Sequence, residues 1–150
     1  MTSKPITIVV ADDDEEDRAL TRMALSRSRL TNDLYFCHDG VDLLDYLHGA
    51  GRWSAPGAAP RAGVILLDLN MPRMDGREAL GQIKADPSLR TIPTIVLTSS
   101  KAEKDIAVSY GLGVNSFITK PVTFTALVEV LAVWSQYWFQ IVELPAPPVG

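Results

Sequence analysis

Gly63-Val64-Ile65-Leu66-Leu67-Asp68 is the most apolar run in the chain, and it stops abruptly on a carboxylate. A run with no polar alternation is what a strand covered on both faces needs, because each successive side chain points to a different buried side. Downstream, Asp75 with Glu78 three residues later forms a capping box, opening a helix to about Ala85, ahead of Pro87. Pro93 to Thr98 is a further strand, and Ser100 with Glu103 a second capping box, opening a helix to about Tyr110. Val114 to Ile118 is the last strand, and Thr123 caps a helix to about Trp138. Upstream, Ile6 to Ala11 is a β-branched strand ending on Asp12-Asp13, and Asp14 to Arg29 is helical. Leu34 to His38 is a short strand, Gly40 to His48 a helix stopped by Gly49, and Ala50 to Ala62 a long loop with Arg52-Trp53 inside it. Strand and helix thus alternate five times. Short connections between apolar strands give right-handed βαβ units, a parallel sheet and helices on both faces: a doubly wound α/β domain.

The chain has 150 residues, 47% hydrophobic and 21% charged, enough for one domain with a proper core and too apolar for a disordered chain. The net charge of −4 and the lack of a basic stripe remove the usual driver of nucleic-acid binding. The single cysteine, Cys37, excludes an internal disulfide and fits a reducing cytoplasm. No signal peptide and no apolar run of membrane-spanning length is evident. The expectation is one domain over 1–144, with its core at about 5–138, an extension at 139–144, a loose proline-rich tail at 145–150 and no output domain.

Sites in such sheets form beyond the carboxyl ends of the strands. Asp12-Asp13, Asp68, Thr98 and Lys120 all follow or end a strand, so three carboxylates, a hydroxyl and an ammonium meet on one rim. Each like-charge pair at about 4 Å costs roughly 4 kcal/mol at an effective dielectric near 20. Such a cluster calls for a hard, oxygen-liganded divalent cation such as Mg²⁺. Metal, ammonium and hydroxyl together suit a phosphoryl group, and an aspartate such as Asp68 is a competent nucleophile for it. Singly, an acidic helix start is capping and a lysine is a solvated surface group; the combination on one rim is what favours function.

Asp12-Asp13, the run Leu67-Asp68-Leu69-Asn70-Met71-Pro72-Arg73-Met74-Asp75-Gly76, Leu97-Thr98-Ser99 and Ile118-Thr119-Lys120-Pro121 resemble the receiver domain of two-component response regulators. The resemblance implies the CheY-like (βα)5 fold with strand order 2-1-3-4-5. It implies Asp68 as phosphoacceptor, and Mg²⁺ held by Asp13, Asp68 and the Asn70 carbonyl, with Asp12 holding a metal-bound water. It further implies Thr98 and Lys120 on the phosphoryl oxygens, a cis Lys120–Pro121 bond, and Phe117 as the switching ring beside Thr98. The donor would be a sensor histidine kinase. The long loop before Val64, the segment 113–121 and the ending 134–145 are similar to single-domain regulators paired with bacterial and cyanobacterial phytochromes, so the implied kinase is a phytochrome, a bacteriophytochrome among the candidates. The runner-up is an aspartate-nucleophile phosphohydrolase of the haloacid dehalogenase type, which wants an acid where this chain has Asn70. An interaction module that is never phosphorylated is the third reading.

The last helix carries two apolar faces. Phe124, Leu127, Val128, Leu131 and Trp134 share one. Val130, Val133, Tyr137 and Ile141 fall on a second, nearly opposite, which asks for a cover. A homodimer through this helix and 139–144 is the expected one; the proline-rich tail or the Trp53 loop is the alternative. Arg52 and Trp53 otherwise read as a mobile loop tip.

Overall fold

The structure, a computed structural model, describes residues 6–27, 33–98, 106, 110–111, 113–114, 116–121 and 123–137. The Ser100/Glu103 capping box, Ile141, the extension at 139–144 and the tail at 145–150 lie outside the described residues.

Five strands, β1 (Ile8–Ala11), β2 (Leu34–Cys37), β3 (Val64–Leu67), β4 (Thr94–Thr98) and β5 (Ser116–Thr119), form one parallel sheet in the order β2-β1-β3-β4-β5. Four α-helices with described bounds pack on it: α1 (Glu15–Arg27), α2 (Gly40–His48), α3 (Gly76–Ala85) and α4 (Phe124–Gln136). The registers Ile8↔Val64 and Ala11↔Leu67 set β1 and β3 ending level, side by side at the centre of the sheet. Their following residues, Asp12 and Asp68, are therefore neighbours.

Strand alternation splits the core in two. Val9, Ala11, Ile65, Leu67 and Val96 point to the side covered by α2 and α3. Ile8, Val10, Val64, Leu66 and Leu97 point to the side covered by α1 and α4. Leu131 of α4, fully buried, is worth about 2 kcal/mol of transfer free energy at this interface. The starts of these four helices lie on the rim where the strands end, and they are capped there. The Asp14 carboxylate accepts from the Asp17 N–H, Asp39 from Asp42, Asp75 from Arg77 and Glu78, and the Thr123 hydroxyl from Ala126. Each such cap is worth about 1 kcal/mol. Asp14, Asp39 and Asp75 are thus engaged as caps, which sets them apart from Asp13 and Asp68.

The loop between α2 and β3 corrects the sequence reading. It is anchored. Gly51–Trp53 forms a 3-10 turn, and the Arg52 guanidinium donates to both oxygens of Asp42 at 2.9 and 2.7 Å and to the Phe36 carbonyl. The Trp53 indole N–H donates to Asp42 at 2.9 Å while its ring packs edge-on against Tyr35 and Tyr46. This places Trp53 on the α2–α3 side, away from α4, so the Trp53 loop does not cover the outer face of the last helix. Burial raises the Asp42 carboxyl, but bonds from Arg52, the His38 N–H and Trp53 outweigh it and hold it at about 2.

A second correction concerns Lys120–Pro121. No peptide bond among the described residues is cis, so this bond is trans, the intrinsically favoured form of X–Pro.

Candidate functional site

β1 delivers Asp12, buried, and Asp13, exposed; β3 delivers Asp68, buried. One carboxylate oxygen from each lies within 4.8 Å of the others. β4 ends in Thr98, fully buried, whose hydroxyl donates to Asp68 Oδ1 at 2.9 Å. The Asn70 N–H donates to the same oxygen at 3.1 Å. β5 continues the ladder one residue further, the Lys120 N–H donating to the Thr98 carbonyl at 2.8 Å. That backbone bond aims the Lys120 side chain across the rim, where Nζ donates to Asp12 at 2.5 Å and to Asp68 Oδ2 at 3.2 Å. The structure thus brings Asp12, Asp13, Asp68, Asn70, Thr98 and Lys120 together.

One ammonium faces too many carboxylates. Lys120 also donates to Asp17 of α1 at 3.2 Å, a contact the sequence reading missed. Its signal was present: Asp17 stands three residues after the cap Asp14, in the first turn that overlooks the rim. Burial alone would lower the Lys120 ammonium, but Asp12, Asp68 and Asp17 outweigh it and keep it charged, above its ordinary value. Asp12 nevertheless stays above its ordinary 3.8, because burial costs it more than a shared lysine, helped by the Asp14 N–H, returns, and Asp68 adds repulsion. The donor set is all oxygen, clustered and short of positive charge. The cluster of Asp12, Asp13 and Asp68 fits a small hard divalent cation.

Two glycines make the site geometrically possible. A Cβ on Gly76 would stand 2.2 Å from the Asp68 carbonyl oxygen, so the start of α3 lies against the backbone of the central aspartate only because that atom is missing. A Cβ on Gly40 would stand 2.3 Å from the Met74 carbonyl, to which the Gly40 N–H donates at 2.9 Å. Between them runs the 69–75 loop. Its Arg73 has a left-handed φ of 63°, and the Met74 N–H closes back on the Pro72 carbonyl at 2.7 Å, a tight three-residue turn. Such a conformation at a residue with a Cβ costs about 1–3 kcal/mol.

Phe117 sits in β5, half-buried against the α2–α3 core, opposite Val96 in register. Its N–H donates to the Tyr110 hydroxyl at 3.2 Å, so a tyrosine from elsewhere reaches the strand segment that carries the ring. On α4, Val130 is half-buried and Val133 and Tyr137 are 68% and 51% exposed, lining an open apolar groove with Ile118 and Trp134; Ile141 lies outside the described residues.

The family model described as "Response regulator receiver domain" matches residues 8–132. The chain is 35% identical over 145 residues to "Response regulator Rcp1" of Synechocystis sp. (strain ATCC 27184 / PCC 6803 / Kazusa), covering 97% of each. The Mn²⁺-bound form of Rcp1 superimposes with a TM-score of 0.86 at 36% identity, over 95% of this chain and 100% of that one. The phosphorylated cyanobacterial phytochrome response regulator RcpA does so with a TM-score of 0.88 at 36% identity, over 95% and 100%. Sequence motifs, strand order and relatives point the same way: the chain belongs to the response regulator receiver domain family, beside the regulators of phytochromes.

Proposed function

We propose that Asp68 is the phosphoacceptor of this receiver and that Mg²⁺ is the cation its carboxylates hold. The observation that carries the reading is the meeting of the Asp12, Asp13 and Asp68 oxygens within 4.8 Å, with Thr98 and Lys120 both bound to Asp68. An Asp68 oxygen attacks the phosphorus of a phosphohistidine on a sensor histidine kinase. The P–N bond breaks as the O–P bond forms, and the imidazole leaves, taking a proton from solvent. The cation, when bound, neutralises charge on the phosphoryl oxygens. Thr98 turns its hydroxyl from Asp68 to a phosphoryl oxygen, and Lys120 exchanges its bond to Asp68 for one to a second phosphoryl oxygen. Water later attacks the phosphorus, the O–P bond to Asp68 breaks, inorganic phosphate leaves and the carboxylate is restored, so the only chemistry is on the protein itself. Movement of Thr98 leaves room that Phe117 fills, biasing a pre-existing equilibrium in the β4–β5–α4 region.

The partner kinase is a phytochrome; support comes from the phytochrome response regulator RcpA, which covers 95% of this chain and 100% of its own. Exposed Val133 and Tyr137 with Val130 support a homodimer through α4 and the segment that follows it. Acetyl phosphate with Mg²⁺ tests the acceptor: intact mass should show one added phosphoryl group, lost with EDTA and in Asp68→Asn. Persistence of the modification in Asp68→Asn overturns it. Light scattering tests the dimer: a mass of two chains at micromolar concentration is expected, and Val133→Lys should return it to one.

A further inference from the structure

Arg73 does two things that a solvent-facing arginine has no reason to do together. Its backbone takes the left-handed φ of 63° at the tightest point of the 69–75 loop. Its guanidinium, though on a side chain 62% exposed, reaches out of that loop and donates to both oxygens of Asp39, at 2.6 and 3.1 Å. Asp39 is the N-cap of α2, already fixed by accepting the Asp42 N–H at 2.8 Å. The residue after it, Gly40, donates its N–H to the Met74 carbonyl at 2.9 Å, so the same corner of α2 grips the loop at two consecutive residues. A bidentate arginine–carboxylate pair fixes orientation as well as distance. Near its other end the loop carries Asn70, whose N–H donates to Asp68. It closes where the Gly76 N–H donates to the Leu69 carbonyl at 2.8 Å.

We propose that the Arg73–Asp39 pair is a strap from α2 that holds the strained 69–75 loop in the shape that presents Asn70 and Asp68 to the divalent cation. Arg73 is then a positioning residue that touches neither metal nor phosphoryl group. This rests on the phosphoacceptor reading, since it takes Asp13, Asp68 and Asn70 as the cation's ligands. Asp39 lies outside that ligand set. Through-space charge predicts the opposite sign: a guanidinium near the site repels a cation, so deleting it would tighten binding. Strap and simple charge therefore separate on the direction of one measurement.

The test is Mn²⁺ titration calorimetry on the full chain, with amide hydrogen exchange of residues 69–75 in the metal-free protein. Arg73→Ala should weaken Mn²⁺ binding roughly fivefold and speed exchange in the loop, as expected for loss of one charge-assisted bidentate contact. Asp39→Asn keeps an N-cap but loses the ion pair, and should weaken binding about as much. The double variant should be no worse than either single, because both remove one interaction. Arg73→Lys, with charge but no fork, should fall between parent and alanine. Thermal melts identify any variant that is unfolded, and Arg73→Lys, the mildest change, then carries the test. Tighter or unchanged Mn²⁺ binding in Arg73→Ala, with loop exchange unaltered, overturns the strap. Asp13→Asn tells the two failures apart. Metal binding that survives it overturns the site reading, while the loop exchange in metal-free Arg73→Ala still reports on the strap.

Discussion

Two groups of buried aspartates follow strand ends on the same rim, and they have been treated oppositely. Asp42 is matched by a bidentate guanidinium, an indole N–H and a backbone N–H, and its carboxyl is held at about 2. Asp12 shares Lys120 with Asp68 and Asp17, and its carboxyl stays above the ordinary range. Both are pushed up by burial; they differ in how much positive charge the fold supplies. Where donors meet acceptors in full, the carboxylate is structural, here a pin that fastens the loop before β3 to α2. Where carboxylates outnumber cations, the fold has left an electrostatic debt that a metal and a phosphoryl transfer can use. Three acidic neighbours alone would not distinguish these cases.

The largest effect expected on this contrast is chemical. Asp68→Asn abolishes phosphoryl acceptance outright, while Asp42→Asn leaves it in place, read by intact mass after acetyl phosphate. Next comes stability at the matched site. Asp42→Ala strands the Arg52 and Trp53 donors and should cost about 2–4 kcal/mol, below the range for fully buried pairs because Arg52 is half exposed. In a domain of this size that lowers Tm by roughly 5–12 °C in calorimetry. The under-neutralised site should respond with the other sign. In the metal-free protein Asp13→Asn removes repulsion and raises stability by about 0.5–1 kcal/mol, while erasing the rise in Tm that Mg²⁺ gives the parent. A fall in metal-free stability in Asp13→Asn would break the comparison.

The pH dependence sharpens it further. The folded Asp42 carboxyl lies below its ordinary 3.8, at about 2, so its contribution is complete above pH 4. It is lost as pH falls through that window, so the Tm gap between parent and Arg52→Ala should be constant from pH 5 to 7 and narrow between about pH 4 and 2. The smallest effect belongs to α4. Val133→Ser, on a side chain 68% exposed, should change the stability of the fold by within about 0.5 kcal/mol, whatever it does to association.

Much of this was legible in advance because it is periodic or terminal. Val64 to Leu67 announces a strand buried on two faces without reference to any other residue, and Asp75 before Gly76 announces a helix start. Residues that follow strand ends must share a rim once the sheet is parallel, which is why Asp12, Asp68 and Lys120 could be grouped from order alone. Arg52 and Trp53 were misread, since a loop rich in glycine, proline and alanine looks unconstrained until Asp42, on the preceding helix, is seen to collect both donors. Asp17 is one more acid at a helix start when taken from the sequence, and its bond to Lys120, more than a hundred residues away in sequence, exists only in the assembled rim.

The amino-acid sequence by itself determined the alternation of strands and helices, the sheet they build and the residue types at its carboxyl edge, because hydrophobic period and capping chemistry act locally. Only the tertiary structure decided which carboxylates are neutralised and which are left short, because that depends on where a few long cationic side chains end up. Arg52 reaches Asp42, Arg73 reaches Asp39, and Lys120 is divided among three, a distribution of charge that no stretch of chain carries on its own.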